Sequence, residues 1–152
     1  MRVSARADYA IRALVELAAA GPEASLRGDA IATAQAIPAK YLENLLADLR
    51  RARFVTSQRG ANGGYRLARS ASSISLADVI RAIDGPLAGV RDDAPEDVTY
   101  PGAAASLRDV WIALRASMRT VLETVTLADV AAGKLPARVR RLLEDPGAWS
   151  RR

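Results

Sequence analysis

The sequence has 152 residues, of which 50% are hydrophobic by type and 26% are charged, and it contains neither cysteine nor histidine. This length suits one medium globular unit or two small ones, because domains usually span roughly 100 to 200 residues. Without cysteine and histidine the chain cannot build disulfides, zinc-finger sites, cysteine-ligated iron–sulfur clusters, cysteine nucleophiles or Ser-His-Asp triads, which excludes most hydrolytic and redox chemistry.

The excess positive charge is confined to the first half of the chain. Residues 1–69 carry eleven basic and six acidic side chains, an excess of five, whereas the remainder carries eleven of each sign. Such an excess is expected of a surface that faces a polyanion, and a basic surface that merely keeps the protein dissolved is the common alternative. No stretch approaches the roughly 18 apolar residues that cross a bilayer, so we expect a soluble cytoplasmic protein without membrane contact.

Three short helices are predicted in the first fifty residues. Ser4 can cap the first, which Gly21-Pro22 ends, and a second helix follows over residues 28–35. Pro38 opens the third, because proline suits the first helical position. The buried face of the third helix is predicted to carry Leu42, Leu45, Leu46 and Leu49. Its opposite, polar face is predicted to carry Lys40, Asn44 and Arg51.

A small hairpin is predicted after the third helix. Residues 54–58 and 65–68 are rich in β-branched or aromatic residues, as strands are, and the glycine-rich segment 59–64 between them suits a tight turn. Ser75 can cap a fourth helix that Asp84-Gly85-Pro86 closes. Three small helices followed by a two-stranded hairpin predict a winged helix-turn-helix fold, in which the third helix enters the major groove of DNA.

The second half of the chain begins with an irregular segment over residues 87–105. A long helix is then predicted after Ser106, with a sustained apolar repeat. The repeat consists of Leu107, Trp111, Leu114, Met118, Val121 and Val125. Thr126 and Asp129 form a capping pair for a short helix that ends at Gly133, and one further turn is predicted near Val139.

Several segments resemble the IscR/NsrR-like (Rrf-two type) family of bacterial winged-helix regulators. The pattern R-G-x-x-G-G-Y at residues 59–65 and the segment I-S-L-A-D-V-I at residues 74–80 together are specific for it. The other matching segments are Tyr9-Ala10 and residues 38–43, 46–49, 83–85 and 126–130. The resemblance implies a homodimeric repressor that binds a palindromic operator in double-stranded DNA through the third helix and the wing arginine.

Two departures from the family pattern limit what the resemblance implies. The family's cluster-binding members have three cysteines in the loop that corresponds to residues 90–105, and this chain has none. We therefore expect no cysteine-ligated iron–sulfur cluster, no metal site and no cofactor. Ala36 occupies the turn before the third helix, where relatives often have glycine, and a left-handed alanine there would cost about 1 kcal/mol.

Eight residues are predicted to contact DNA: Lys40, Tyr41, Glu43, Asn44, Arg51, Arg59, Gly60 and Asn62. Residues near the start of a recognition helix reach base edges first, and Glu43 can accept a hydrogen bond from a cytosine amino group. A long arginine on a flexible hairpin suits a narrow minor groove. Two alternatives remain open: Glu43 pairs with Arg50 or Lys40 on a solvated face, or Tyr41 packs against the second helix.

The predicted organisation is mainly α with a small β-hairpin: a winged helix-turn-helix domain over residues 1–86, an irregular loop over 87–105, a dimerisation helix with a following short helix over 106–133, and a tail over 134–152. The six apolar residues of the long helix are predicted to form the interface of a two-fold dimer. Packing of such an apolar face against the core of its own chain is the commoner alternative. The runner-up function is a regulatory module that acts mainly through a protein partner or a small-molecule effector bound near residues 87–105.

An enzymatic function is not indicated, because no nucleophile–base pair is apparent in the sequence. An acidic cluster in the irregular loop suggests a magnesium or calcium site as a further hypothesis. Its residues are Asp92, Asp93, Glu96 and Asp97. Their spacing fits no known metal-binding loop, so we interpret them as solvated.

Overall fold

The computed structural model describes residues 3–150, which form seven α-helices and one two-stranded antiparallel hairpin. The helices are α1 Ala5–Ala20, α2 Gly28–Gln35, α3 Ala39–Arg51, α4 Leu76–Asp84, α5 Leu107–Leu122, α6 Leu127–Ala132 and α7 Ala137–Leu143. The strands are β1 Val55–Gln58 and β2 Gly64–Leu67. The predicted fold class, mainly α with a small wing hairpin, is therefore confirmed. The residues at either end, Met1, Arg2, Arg151 and Arg152, lie outside the described part.

Local capping explains where three of the helices begin. The Ser4 side chain accepts a hydrogen bond from the backbone N–H of Ala7 at 2.9 Å. Ser75 and Thr126 each form a complete capping box with the aspartate three residues later. Because each box satisfies two backbone donors that the first helical turn leaves free, these starts were predictable from a few adjacent residues.

The core is built around α1, which packs against α2, α4 and α6. Its buried face includes Ala7, Ala10 and Ala13, all with no solvent exposure. Small side chains at these positions let the neighbouring helices approach closely, and Leu14 and Leu17 fill the space beside them. The three-helix unit thus rests on α4 and α6 through α1.

The segment after α5 returns to the winged domain. The backbone N–H of Leu76 donates to the carbonyl oxygen of Val125 at 2.9 Å, and that of Leu127 donates to Ile74 at 3.0 Å. Leu127 is fully buried in the same core as the first three helices. The sequence-based division at residue 86 did not anticipate that α6 packs against α1.

One helix boundary was predicted wrongly. The apolar repeat suggested that the long helix continues through Val125, but α5 ends at Leu122. Val125 is 3% exposed and lies inside its own chain, so it is not available to a partner. The cause is the capping box of the next helix, because Thr126 needs an extended backbone (φ −100°, ψ 165°) and the chain must leave the helical conformation before it.

Helix α5 is the least covered long element of the described chain. It has no buried residue, and Val110, Leu114 and Leu107 are 52%, 42% and 39% exposed. Trp111, Met118 and Val121 on the same face are half-buried. The apolar face of a helix normally packs against a core or another helix. Within a single chain, the apolar face of α5 is covered only in part.

The segment between α4 and α5 is irregular, as predicted, but it is organised by aromatic contacts. The Trp111 indole N–H donates to the Tyr100 hydroxyl at 2.9 Å, and the Arg91 guanidinium lies 5.9 Å from the centre of the Tyr100 ring. Pro95 and Val98 are buried beneath the segment. Over residues 3–150, no helix is both long enough and apolar enough to cross a membrane.

Candidate nucleic-acid interface

Helix α3 separates a buried apolar face from an exposed polar face. Its four leucines, Leu42, Leu45, Leu46 and Leu49, are each at most 1% exposed. Lys40, Glu43 and Asn44 are exposed on the other side. Burial of the leucines determines how α3 is rotated about its own axis. The opposite, polar face of the helix therefore points toward solvent.

The turn between α2 and α3 contains a left-handed residue. Ala36 has φ 50° and ψ 46°, as expected if alanine replaces the usual glycine. The backbone N–H of Ile37 donates to the carbonyl oxygen of Ala32 at 2.9 Å, which closes the end of α2. This left-handed turn redirects the chain between the two helices of the helix-turn-helix at a cost of about 1 kcal/mol.

The hairpin, called the wing below (residues 55–67), is attached directly to the start of α2. The backbone N–H of Tyr65 donates to the carbonyl oxygen of Leu26 at 2.7 Å, and the N–H of Leu26 donates back to Tyr65 at 2.9 Å. Gly64 allows this approach: it has φ 143°, and a Cβ atom there would lie 2.6 Å from the Leu26 carbonyl oxygen. The wing therefore has a fixed position relative to α2 and α3.

A cleft of about 390 Å³ lies between the wing, the start of α2 and the first half of α3. Glu43, Gln58 and Gly60 line it, together with Gly28 at the start of α2 and Ala39 at the start of α3. The N-cap residues of both helices make no side-chain capping hydrogen bond, and in α2 only the backbone N–H of Ala30 has a side-chain partner, the Asp29 carboxylate at 3.0 Å, so other backbone N–H groups remain free at both starts. Such groups suit a bound anion, including a phosphate.

The wing and its surroundings carry an excess of positive charge. Between Asp48 and Asp78 the sequence contains six arginines and no acidic residue. Lys40 and Arg59 are exposed and form no ion pair with any residue of the described part. Glu43 likewise has no ion pair over residues 3–150, so the proposed alternative pairing with Arg50 or Lys40 is not formed.

Of the two acidic residues in α3, Asp48 is the one that forms ion pairs within residues 3–150. Arg6 of α1 and Arg51 both donate to its carboxylate, and these hydrogen bonds hold the pKa of Asp48 below its ordinary value. The Arg51 guanidinium is therefore oriented by Asp48, although its side chain remains 78% exposed.

The eight predicted DNA contacts do not all occupy the same surface. Glu43 and Gly60 line the cleft, and Arg59 and Asn62 are exposed in the wing turn beside it. Tyr41 packs edge-on against Tyr9 of α1, with ring centres 5.5 Å apart and planes at 79°. It is still 42% exposed, so part of its ring faces solvent.

Sequence reasoning missed several residues around the cleft and the wing. Gln58, Gly28 and Tyr65 line the cleft only because the Leu26–Tyr65 pairing brings β2 against the start of α2. Arg53 and Arg69 were counted toward the charge of the first half but given no role. The absence of acidic residues between Asp48 and Asp78 was the sequence feature that could have indicated a role for these two arginines.

Comparison with known proteins identifies relatives over nearly the whole length. The family model Rrf2, described as an iron-dependent transcriptional regulator, matches residues 3–133. Rv1287 of Mycobacterium tuberculosis, whose name describes an HTH-type transcriptional regulator, is 54% identical over 145 residues, which cover 95% of this chain and 90% of that protein.

Two solved structures have the same fold. CymR of Bacillus subtilis, described as its global cysteine regulator, has a TM-score of 0.75 and 32% identity, covering 87% of this chain and 97% of that one. IscR of T. potens has a TM-score of 0.67 and 30% identity, covering 100% and 93%. Both similarities extend beyond the winged region into the second half of the chain.

The iron dependence in the family description does not fit the residues of this chain. Cysteine and histidine are absent from the sequence. Within residues 3–150, no three aspartate or glutamate side chains converge in a way that could hold a metal ion. Carboxylates are hard ligands that hold a sulfide cluster poorly, so the donor set does not suit an iron–sulfur cluster.

Proposed function

The chain belongs to the Rrf2 family of transcriptional regulators, and from that premise we propose that it acts as a homodimeric repressor on a palindromic operator. Its relatives are DNA-binding regulators and not enzymes. The observation that carries the proposal is the Glu43 carboxylate, which lies in the cleft between α3 and the wing and forms no ion pair with any residue of 3–150.

An acidic side chain on a surface that meets phosphates is unfavourable unless it finds a hydrogen-bond donor. In the major groove that donor is the N4 amino group of cytosine, which a glutamate can accept from. Glu43 would therefore select a base, whereas Lys40 in the first turn of α3 would contact the phosphate backbone. Asn44 is exposed one residue further along and is a second candidate for base contact.

The wing supplies the complementary contact. Arg59 is exposed at the start of the wing turn, and the pairing of Tyr65 with Leu26 holds the wing beside α3. With α3 in the major groove, the wing would reach the adjacent minor groove, where an arginine is attracted by the negative potential. Gly60 and Asn62 would approach the sugar–phosphate backbone next to it.

The dimer is proposed to form through α5. Val110, Leu114 and Leu107 are exposed in one chain, and a second copy of α5 would remove them from water. Val125 does not belong to this surface because it is buried in its own chain. Two recognition helices related by two-fold symmetry would read half-sites about one helical turn apart, roughly 34 Å.

The inducing signal is proposed to differ from a cysteine-ligated cluster. A cleft of about 400 Å³ lies between residues 87–90 and α5, with Trp111, Leu114 and Met118 on its apolar wall. This volume is within the range of small-molecule sites. A regulator controlled by an effector or a protein partner bound near the 87–105 loop is therefore the second candidate, and because Leu114 lines both the cleft and the proposed dimer surface, such a ligand would lie at the edge of that interface.

The proposal is tested by titrating an operator duplex with the wild type and with Arg59→Ala. We expect the variant to bind about 5- to 150-fold more weakly, the equivalent of about 1–3 kcal/mol, with unchanged thermal unfolding. Arg138→Ala on α7 is the matched control, since Arg138 is an exposed arginine outside the winged domain. Equal affinity of Arg59→Ala and wild type in a gel-shift titration would rule out the assigned role of the wing.

A further inference from the structure

A second basic surface lies at the base of the wing, away from the cleft. It is an open hollow of about 620 Å³ between the C-terminal end of α3 and the hairpin. Arg50, Arg53 and Arg69 line it, together with the Thr56 and Ser57 segment of β1. These three arginines are separated by up to 19 residues in sequence and are brought together by the fold. We call this surface the arginine hollow.

The charge of the arginine hollow is not compensated by the protein. None of its three arginines forms an ion pair with a carboxylate of residues 3–150, whereas seven other arginines of the described chain do. The paired arginines are Arg6, Arg12, Arg27, Arg51, Arg81, Arg115 and Arg119. Arginines without an ion pair also occur elsewhere in residues 3–150, among them Arg138 and Arg140, so the distinguishing property of the hollow is that three such arginines converge in a lining that contains no carboxylate.

Neutral contacts hold two of these arginines in place. The Arg50 guanidinium donates to the Ser57 hydroxyl at 3.1 Å, and the Arg69 guanidinium lies 5.2 Å from the centre of the Phe54 ring. Neither the hydroxyl group nor the aromatic ring carries a negative charge, so neither contact neutralises the guanidinium group. A purely structural role would explain Arg50 through its bond to Ser57, whereas Arg53 lines the hollow and forms no ion pair with any residue of 3–150.

The location of the hollow relates it to the proposed DNA-binding surface. The hollow extends along β1 from Val55 to Ser57, two residues before Arg59, so its near edge lies roughly 7 Å from the start of the wing turn along the hairpin. The minor groove is about 6 Å wide, so DNA that receives Arg59 has backbone phosphates on both sides of the wing. Forked guanidinium groups match the geometry of such phosphates.

We propose that the arginine hollow binds a backbone phosphate of duplex DNA at the base of the wing, beyond the phosphates near Arg59. The inference rests on the proposed function and extends its site from the cleft to the opposite end of the hairpin. Because phosphates carry no base identity, the hollow would strengthen binding to every duplex and would not select sequence.

The test measures DNA affinity as a function of salt by fluorescence anisotropy. Wild type, Arg53→Gln and Arg69→Gln are titrated with an operator duplex and with a scrambled duplex at several KCl concentrations. Each lost phosphate contact should make the slope of log K against log salt shallower by about 0.9, so the factor by which the variant binds more weakly than wild type should be about eight-fold larger at 0.1 M than at 1 M salt. The reduction should be the same on both duplexes.

Two controls separate charge from shape. Arg53→Lys keeps the charge and should retain most of the wild-type slope, and Arg138→Gln removes a charge on α7 and should leave the slope unchanged. Thermal unfolding of each variant checks that the wing remains folded. Wild-type slopes for both folded glutamine variants would overturn the inference, as would a loss confined to the operator duplex. If the wild type itself prefers no sequence, the proposed function fails, while the slopes on scrambled DNA still test the hollow.

Discussion

Replacing Gly64 by alanine tests how the wing is held. The new Cβ would lie 2.6 Å from the carbonyl oxygen and 2.8 Å from the carbonyl carbon of Leu26, both backbone atoms that cannot rotate away. Relief of this overlap would break the two Leu26–Tyr65 hydrogen bonds, which contribute about 1 kcal/mol each. The positive φ of 143° adds about 1 kcal/mol for any residue with a side chain. The expected loss of folding free energy is therefore about 3 kcal/mol.

Gly60→Ala is the matched control for this experiment. Gly60 also has a positive φ, 108°, but nothing lies within 4 Å of a Cβ placed there. Its substitution should cost only the backbone term of about 1 kcal/mol, so the two variants should differ by about 2 kcal/mol in urea unfolding at equal protein concentration. In Gly64→Ala the amides of Leu26 and Tyr65 should also exchange faster with solvent. Equal stability of the two variants would refute the argument that close backbone contact fixes the wing.

Two further predictions concern the surfaces on either side of the core. Asp48→Asn should lower stability at pH 7 by about 1 kcal/mol or less, because Arg6 and Arg51 lose their shared partner. Since the folded pKa of Asp48 is depressed, this contribution is fully present above about pH 4 and is lost as the pH falls through the folded pKa; a difference between wild type and variant that persisted in strong acid would contradict it. If the protein dimerises through α5 as proposed, Leu114→Glu should be a monomer in light scattering and should bind the operator more weakly, whereas Ala116→Glu on the other side of α5 should behave as wild type. A dimeric Leu114→Glu would exclude α5 as the interface.

Local sequence signals predicted much of this fold. The capping boxes at Ser75 and Thr126, the left-handed position at Ala36 and the leucine face of α3 each depend on a few neighbouring residues. From these features the sequence analysis predicted the order of the helices and the side of α3 that faces solvent. They also predicted that Glu43 and Arg59 lie on exposed surface.

The errors arose where distant segments meet. The apolar repeat alone could not reveal that Val125 is hydrogen-bonded to Leu76 and buried against α4, because that contact joins residues 49 positions apart. The contact of Tyr41 with Tyr9 of α1 was likewise not predicted, because it joins residues 32 positions apart. Such pairings depend on tertiary packing, which periodicity does not encode.

The arginine hollow shows the same limit for function. The sequence reveals an interval of six arginines without an acidic residue, but not which of them converge. Arg50 and Arg53 end α3, whereas Arg69 follows β2, and the hairpin brings them to one hollow. Their separation from Glu43 along α3 also places them apart from the predicted recognition surface.

Selection of bound sequences from a random pool of duplex DNA, at a stated salt concentration, tests the central claim most directly. If α3 and the wing read DNA as a two-fold dimer, the enriched sequences will contain an inverted repeat with half-site centres about 10 base pairs apart, and Glu43→Ala will relax the preference at a cytosine within each half-site. Recovery of unenriched sequences by the folded wild-type protein would contradict the account.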